Sequence, residues 1–294
     1  MQIIDKKNDG KTVYIEMFDS PYEFIHTVQS RPYRSCEGFD GDTFAQGHKT
    51  NRPNWYGFSS TDKLIKDFQS ERVPSDVLLP IQQKVKDMRT HSAPRISVVN
   101  EEMGFQADVD RVLNGEPRYM IAVRKTPQPN RCIRIYLNIG AHAGTSASEM
   151  NAAGAALIET IAGMEVTGQY RIDLVVGDTF SRDRRLYGVG IKVKSASQPM
   201  NLSRMAWPAV NASAMCRGIA FGWFERSPKD KTEFMYGYGR AWAQTDDDMQ
   251  TATRKALNGR LMLSISDVIR WVHNGTDIES AILREVKENA RVFA

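Results

Sequence analysis

Between Cys132 and Ile139 the chain alternates, with Ile133, Ile135, Leu137 and Ile139 set against Arg134, Tyr136 and Asn138. A period of two in a β-branched run predicts a strand. A loop of small residues, Gly140–Ser148, follows, and Ala156, Leu157, Ile161 and Met164 then recur at helical spacing. Ile172–Val176 and Tyr187–Val193 read as the next two strands. Strand, helix and strand in that order predict a parallel pair joined by a right-handed crossover. Leu202–Phe224 has a helical pattern, with an interruption expected at Pro208 because proline lacks the amide that a helix interior uses. Phe234–Trp242 alternates strictly, Met249–Leu257 returns to helical spacing, and Leu261–Ile265 reads as an apolar strand ending at Ser266-Asp267. A last amphipathic helix is expected over Asp277–Val292.

Before residue 131 the pattern changes often. Short helices are expected at Ser20–Gln29, after the capping oxygens of Ser59 to Asp62, over Ser75–Arg89 and over Asp108–Leu113. The polar, Gly-rich stretch Ser35–Pro53 between them reads as a loop. The expected organisation is an α-rich N-terminal elaboration, residues 1–130, on an α/β core, residues 131–294, whose mostly parallel sheet is flanked by helices.

Composition narrows the function classes. A 294-residue chain, 41% hydrophobic and 25% charged, has enough apolar surface for a packed core, which excludes disorder and fibrous architectures. No run of about 18 apolar residues occurs and the start, MQIIDKKNDGK, lacks a secretory pattern, so a cytoplasmic protein is expected. Cys36, Cys132 and Cys216 are odd in number and have no CxxC spacing, which favours reduced thiols over disulfides or zinc. The net charge of +4 suits a polyanionic partner without requiring one.

From Cys132 onward, the order of strand, loop, helix, two strands, helices and an apolar strand ending in Ser-Asp resembles a von Willebrand factor A-type domain with its Rossmann-like core. The segments VDRVLNGEPRYM, IRIYLNIGAHAG, AAGAALIETIAG and LSRMAWPAVNASAMCRGIAF resemble uncharacterised phage-encoded proteins. In metal-binding A-type domains an Asp-x-Ser-x-Ser run supplies the oxygens that a hard divalent cation requires. The corresponding positions here are Asn138, Gly140 and His142, and Asp267 matches the acidic residue of the later strand. One carboxylate is a poor cage, so neither a metal nor another cofactor is expected.

No P-loop, GxGxxG, GxSxG or HExxH spacing occurs. His142 with Ser146 or Ser148 is the only acid-base pairing that sequence proximity offers, and a polar loop is the simpler reading. Two other features suggest binding. On the Phe234–Trp242 strand, Tyr236, Tyr238, Arg240 and Trp242 share a face, as in platforms that stack single-stranded bases, although such a face also suits a core. Arg182, Arg184 and Arg185 precede a strand on which Lys192 and Lys194 share a face, a ribbon suited to tracking phosphates. The function expected is therefore a non-enzymatic phage accessory protein that binds nucleic acid, preferably single-stranded DNA, in replication or transcription, with a phage polymerase as partner. The alternative is an A-type protein-interaction adaptor partnered with an AAA+ ATPase, using Asn138, His142 and Asp267 as its contact surface.

Overall fold

The computed structural model describes residues 1–8, 10–33, 43–45, 47, 49–50, 52–71, 73, 75–91, 96–103, 106–125, 131–168, 170–182, 184–227 and 247–293. Two strands open the chain, β1 (Gln2–Asn8) and β2 (Lys11–Phe18), followed by helices α1 (Pro21–Gln29), α2 (Pro53–Tyr56), α3 (Thr61–Gln69) and α4 (Ser75–His91). A small antiparallel sheet of order β3-β5-β4 comes next, from β3 (Ile96–Glu101), β4 (Gln106–Ala107) and β5 (Met120–Lys125), with α5 (Val109–Leu113) between the last two. The remaining strands are β6 (Arg131–Asn138), β7 (Tyr170–Arg182), β8 (Arg185–Lys194) and β9 (Leu261–Ser264). They interleave with α6 (Ala147–Val166), α7 (Leu202–Val210), α8 (Ala212–Ala214), a π-helical stretch Met215–Ala220, α9 (Phe221–Phe224) and α10 (Asp247–Ala256). After β9 come α11 (Ile265–His273) and α12 (Ile278–Phe293).

The main sheet is mixed and six-stranded, in the order β1-β2-β8-β7-β6-β9. β6 is parallel to β7 and to β9, β8 is parallel to β2, and the β7–β8 and β1–β2 pairs are antiparallel. The expected strand-helix-strand unit is therefore present as β6-α6-β7. Polar residues inside the apolar runs shortened the expected strands: β7 and β8 extend beyond Ile172–Val176 and Tyr187–Val193 to form a long hairpin.

Three expectations change. The boundary at residue 130 does not divide the main sheet, because β2 pairs with β8 along Thr12–Phe18 and Arg185–Ile191. The segment is drawn in because six successive side chains of β2, Val13 to Phe18, are buried. Glu16 sits among them with its charge matched: it accepts hydrogen bonds from Tyr14 Oη (2.7 Å), Arg31 Nη1 (2.9 Å) and Trp223 Nε1 (2.8 Å). Secondly, α7 runs through Pro208 and breaks three residues later at Asn211, whose side-chain amide donates to the Trp207 carbonyl (3.0 Å). Thirdly, the strand expected to end at Asp267 ends at Ser264, whose hydroxyl caps α11.

One sheet face packs against α6, α7 and the 212–224 region in the larger core, which includes Ile135, Leu137, Leu157, Ile161, Val176 and Trp223. α6 and α7 approach so closely that a β-carbon at Gly154 would lie 1.8 Å from the Ala209 carbonyl oxygen. On the opposite face, Val13, Ile15, Tyr136, Val175 and Met262 pack with Met249, Ala256 and Leu257 in and after α10. Among the described residues no helix is long and apolar enough to cross a membrane.

Candidate nucleic-acid interface

The strand directions bring two reversals of the chain together. β7 rises toward the end of the sheet that holds the carboxyl end of β6, β8 and β2 descend from it, and β1 rises to it again. The β1–β2 and β7–β8 turns are thus neighbours, and Thr12 N donates to the Arg184 carbonyl (3.0 Å). Left-handed backbone makes both reversals, at Gly10 (φ 73°) and Arg184 (φ 60°). Only the glycine takes this conformation freely.

This juxtaposition sets exposed Arg184 and Arg185 beside the lysines of the first hairpin, which sequence proximity could not reveal. Lys6 and Lys7 are exposed on the edge strand, and Lys11 pairs with Asp248 of α10 at 3.1 Å. Where α10 crosses the sheet, a cleft of about 210 Å³ forms, with Lys6, Lys7, Lys11 and Lys255 on its walls and Val13, Ala252 and Ala256 as apolar lining. Four ammonium groups around an apolar floor suit a ligand with anionic and flat apolar parts.

The other expected phosphate contacts fare differently. Lys192 is half-buried, and its carbonyl accepts from Arg204 Nη2 at 3.4 Å. Lys194 does not belong to the ribbon: it is 3% exposed and its ammonium lies 2.9 Å from the Glu165 carboxylate. It also donates to the carbonyls of Ser195 (2.9 Å) and Gln198 (3.1 Å). The alternation that would put Lys192 and Lys194 on one face is interrupted: an irregularity in the β7–β8 pairing sets Lys192 opposite Val175 and Lys194 opposite Leu174, so Lys194 turns to the other face and meets the C-terminal part of α6. Arg182 ends β7, and its side chain, together with Tyr236, Tyr238, Arg240 and Trp242, lies outside the described residues.

The loop after β6 is tightly built. Asn138 is fully buried; its Nδ2 donates to Thr179 Oγ1 (2.6 Å), and its Oδ1 accepts from Gly140 N (2.9 Å). A β-carbon at Gly140 would fall 2.6 Å from Asp178 Oδ1, so glycine here makes room for that carboxylate. Asp178 is 1% exposed and accepts from the Cys216 thiol at 3.3 Å. Sequence reasoning missed both, although a lone acid in the apolar run LVVGDTF was a visible signal. His142 is exposed and its Nδ1 accepts from Gly144 N (3.1 Å). Ser146 serves as the N-cap of α6 in a capping box with Glu149, so its hydroxyl is already engaged. Asp267 sits in the first turn of α11 and pairs with Arg270 at 2.7 Å; burial raises its pKa above the usual aspartate range. Among the described residues no three His, Cys, Asp or Glu side chains converge as metal ligands.

A buried arginine locks this loop to the N-terminal segment. Arg217, in the π-helical stretch, donates to the carbonyls of Trp55 and Thr145, the latter at 2.6 Å, and its guanidinium lies 4.1 Å from the centre of the Trp55 ring. Trp55 Nε1 in turn donates to the Ala143 carbonyl (2.8 Å). Arg217→Met is expected to cost about 1–3 kcal/mol, the penalty for orphaning buried acceptors, read as a lower midpoint in urea unfolding. An unchanged midpoint would show that water replaces the guanidinium.

No curated protein and no solved structure matches this chain. Residues 4–263 match the family described as Domain of unknown function (DUF7192), a span that includes the β7–β8 hairpin, the locked loop and all but the outermost residues of the six-stranded sheet. The chain belongs to the DUF7192 family.

Proposed function

We propose that the protein is a non-enzymatic nucleic-acid-binding accessory protein of phage replication or transcription, acting in the cytoplasm of the host and preferring single strands. One observation carries this reading: the two adjacent turns gather Arg184 and Arg185 next to a cleft ringed by Lys6, Lys7, Lys11 and Lys255. Phosphates meet the cations, and the apolar lining accepts the face of a sugar or base. An exposed, sequence-blind arrangement of this kind on two turns suits an unpaired strand better than a duplex groove, which is read by an inserted helix or ribbon. The preference for single strands draws further support from the Tyr236, Tyr238 and Trp242 pattern in the sequence.

The test is fluorescence anisotropy with an unstructured oligonucleotide and its duplex. About four phosphate contacts to a single strand correspond to a log-log salt slope near −2.8, so affinity is expected to fall about 50-fold between 50 and 200 mM salt. The double substitution Lys6→Glu and Lys7→Glu, on an exposed strand, is expected to abolish binding and leave the circular dichroism spectrum unchanged. Absence of salt-sensitive binding at micromolar protein would reject the reading, and equal affinity for the duplex would remove the single-strand preference.

A second reading, an A-type interaction adaptor for an AAA+ ATPase, draws on the order β8-β7-β6-β9 and on Asp267, which follows β9 at the same sheet end as the loop after β6. Recovery of a stoichiometric protein partner from a nuclease-treated lysate, lost on Asp267→Lys, would favour it.

A further inference from the structure

A second cleft opens on the other side of Lys255. It has a volume of about 900 Å³ and lies at the amino-terminal ends of β6 and β9, where Ile133, Leu261 and Val286 supply apolar lining and Cys132 and Arg134 stand on the wall. Lys255 lines both this cleft and the smaller one. Together the two contain five cationic side chains, Lys6, Lys7, Lys11, Lys255 and Arg134, and among the described residues no carboxylate lines either cleft, Asp248 reaching only Lys11. The volumes separate their roles. Ligand sites usually enclose roughly 300–1,000 Å³. At about 210 Å³ the first cleft is too small for more than part of a nucleotide, whereas the second has room for whole bases.

We propose that a bound single strand does not stop at the hairpin turns but crosses α10 at Lys255 and continues into the larger cleft, where Arg134 takes a phosphate and bases rest on the Ile133, Leu261 and Val286 surface. This path rests on the nucleic-acid reading above and adds a second binding segment to it. The shared lysine is what makes the two clefts one track: a phosphate held there has its neighbours along the strand directed into either side.

The exposed thiol of Cys132 reports on the path without altering it. The full-length protein is alkylated with N-ethylmaleimide, alone and with a saturating unstructured 20-nucleotide DNA, and modification at Cys132 is followed by peptide mass mapping. The DNA is expected to slow alkylation at Cys132 severalfold. Arg134→Gln, a change at an exposed position, is expected to reduce the salt slope by about 0.7, one single-strand phosphate contact, and to have no effect on a dinucleotide, which is held at the hairpin turns and does not reach Arg134. If the 20-nucleotide DNA binds with salt sensitivity while Cys132 reacts at its free rate and Arg134→Gln keeps the parent slope, the path is wrong and the reading of the hairpin site survives. If no DNA binds at all, both fall.

Discussion

Alanine at position 154 is expected to destabilise the protein by at least about 3 kcal/mol, more than most insertions of one methyl group into a packed core. The reason is the identity of the neighbour. A β-carbon there would lie 1.8 Å from the carbonyl oxygen of Ala209 and 2.5 Å from its carbonyl carbon. Both are backbone atoms of α7, so no side-chain rotation relieves the clash, and the two helices must separate along a seam that holds Met150, Leu157, Met205 and Trp207 in the core. Urea denaturation of Gly154→Ala measures the effect, and a loss below 1 kcal/mol would show that α7 can slide. Helix propensity alone favours alanine by about 1 kcal/mol, so the sign of the result decides between local preference and close packing.

Lys194→Ala is expected to cost about 3–5 kcal/mol, because removing one member of a buried ion pair leaves the other uncompensated. Glu165 is 8% exposed, and apart from Lys194 its carboxylate accepts from the backbone amide of Ile172 at 2.7 Å. The paired substitution Glu165→Leu with Lys194→Met is expected to recover most of the loss, since apolar groups of similar size avoid the desolvation of two charges. Equal instability of the single and paired variants would mean that Lys194 acts chiefly through its hydrogen bonds to the carbonyls of Ser195 and Gln198.

Lys194 also shows how far the sequence could be read. Its place on a strand was legible, but its face was not, because an irregularity in the β7–β8 pairing breaks the parity with Lys192 and turns Lys194 toward α6. β2 was hidden for another reason. Its run TVYIEMF is that of a strand buried on both faces, and Glu16 disguised it, since the three donors that neutralise this carboxylate come from Tyr14, Arg31 and the distant Trp223. The strand-helix-strand unit of β6, α6 and β7 was readable because its signals are local: alternation, then small residues, then a 3.6-residue period. The candidate site was half visible. Arg184 and Arg185 stood out as a cluster, whereas Lys6, Lys7, Lys11 and Lys255 join them only through the pairing of β2 with β8 and the crossing of α10.

That pairing also sets a clock on synthesis. β2 lies between β1 and β8, and its contact with β8 begins at Thr12 opposite Arg185. At ribosomal rates of about 5–20 residues per second, roughly 170 further residues take on the order of 10–30 s to make. Through that interval the first hairpin has no lasting place: two strands alone are marginally stable in water, and Val13, Ile15 and Phe18 are left without the sheet and helices that cover them. The nascent chain therefore carries an adhesive β-edge until the β7–β8 hairpin emerges. Slow translation should lengthen that exposure and lower the soluble yield, and a chaperone that shields extended apolar segments should restore it.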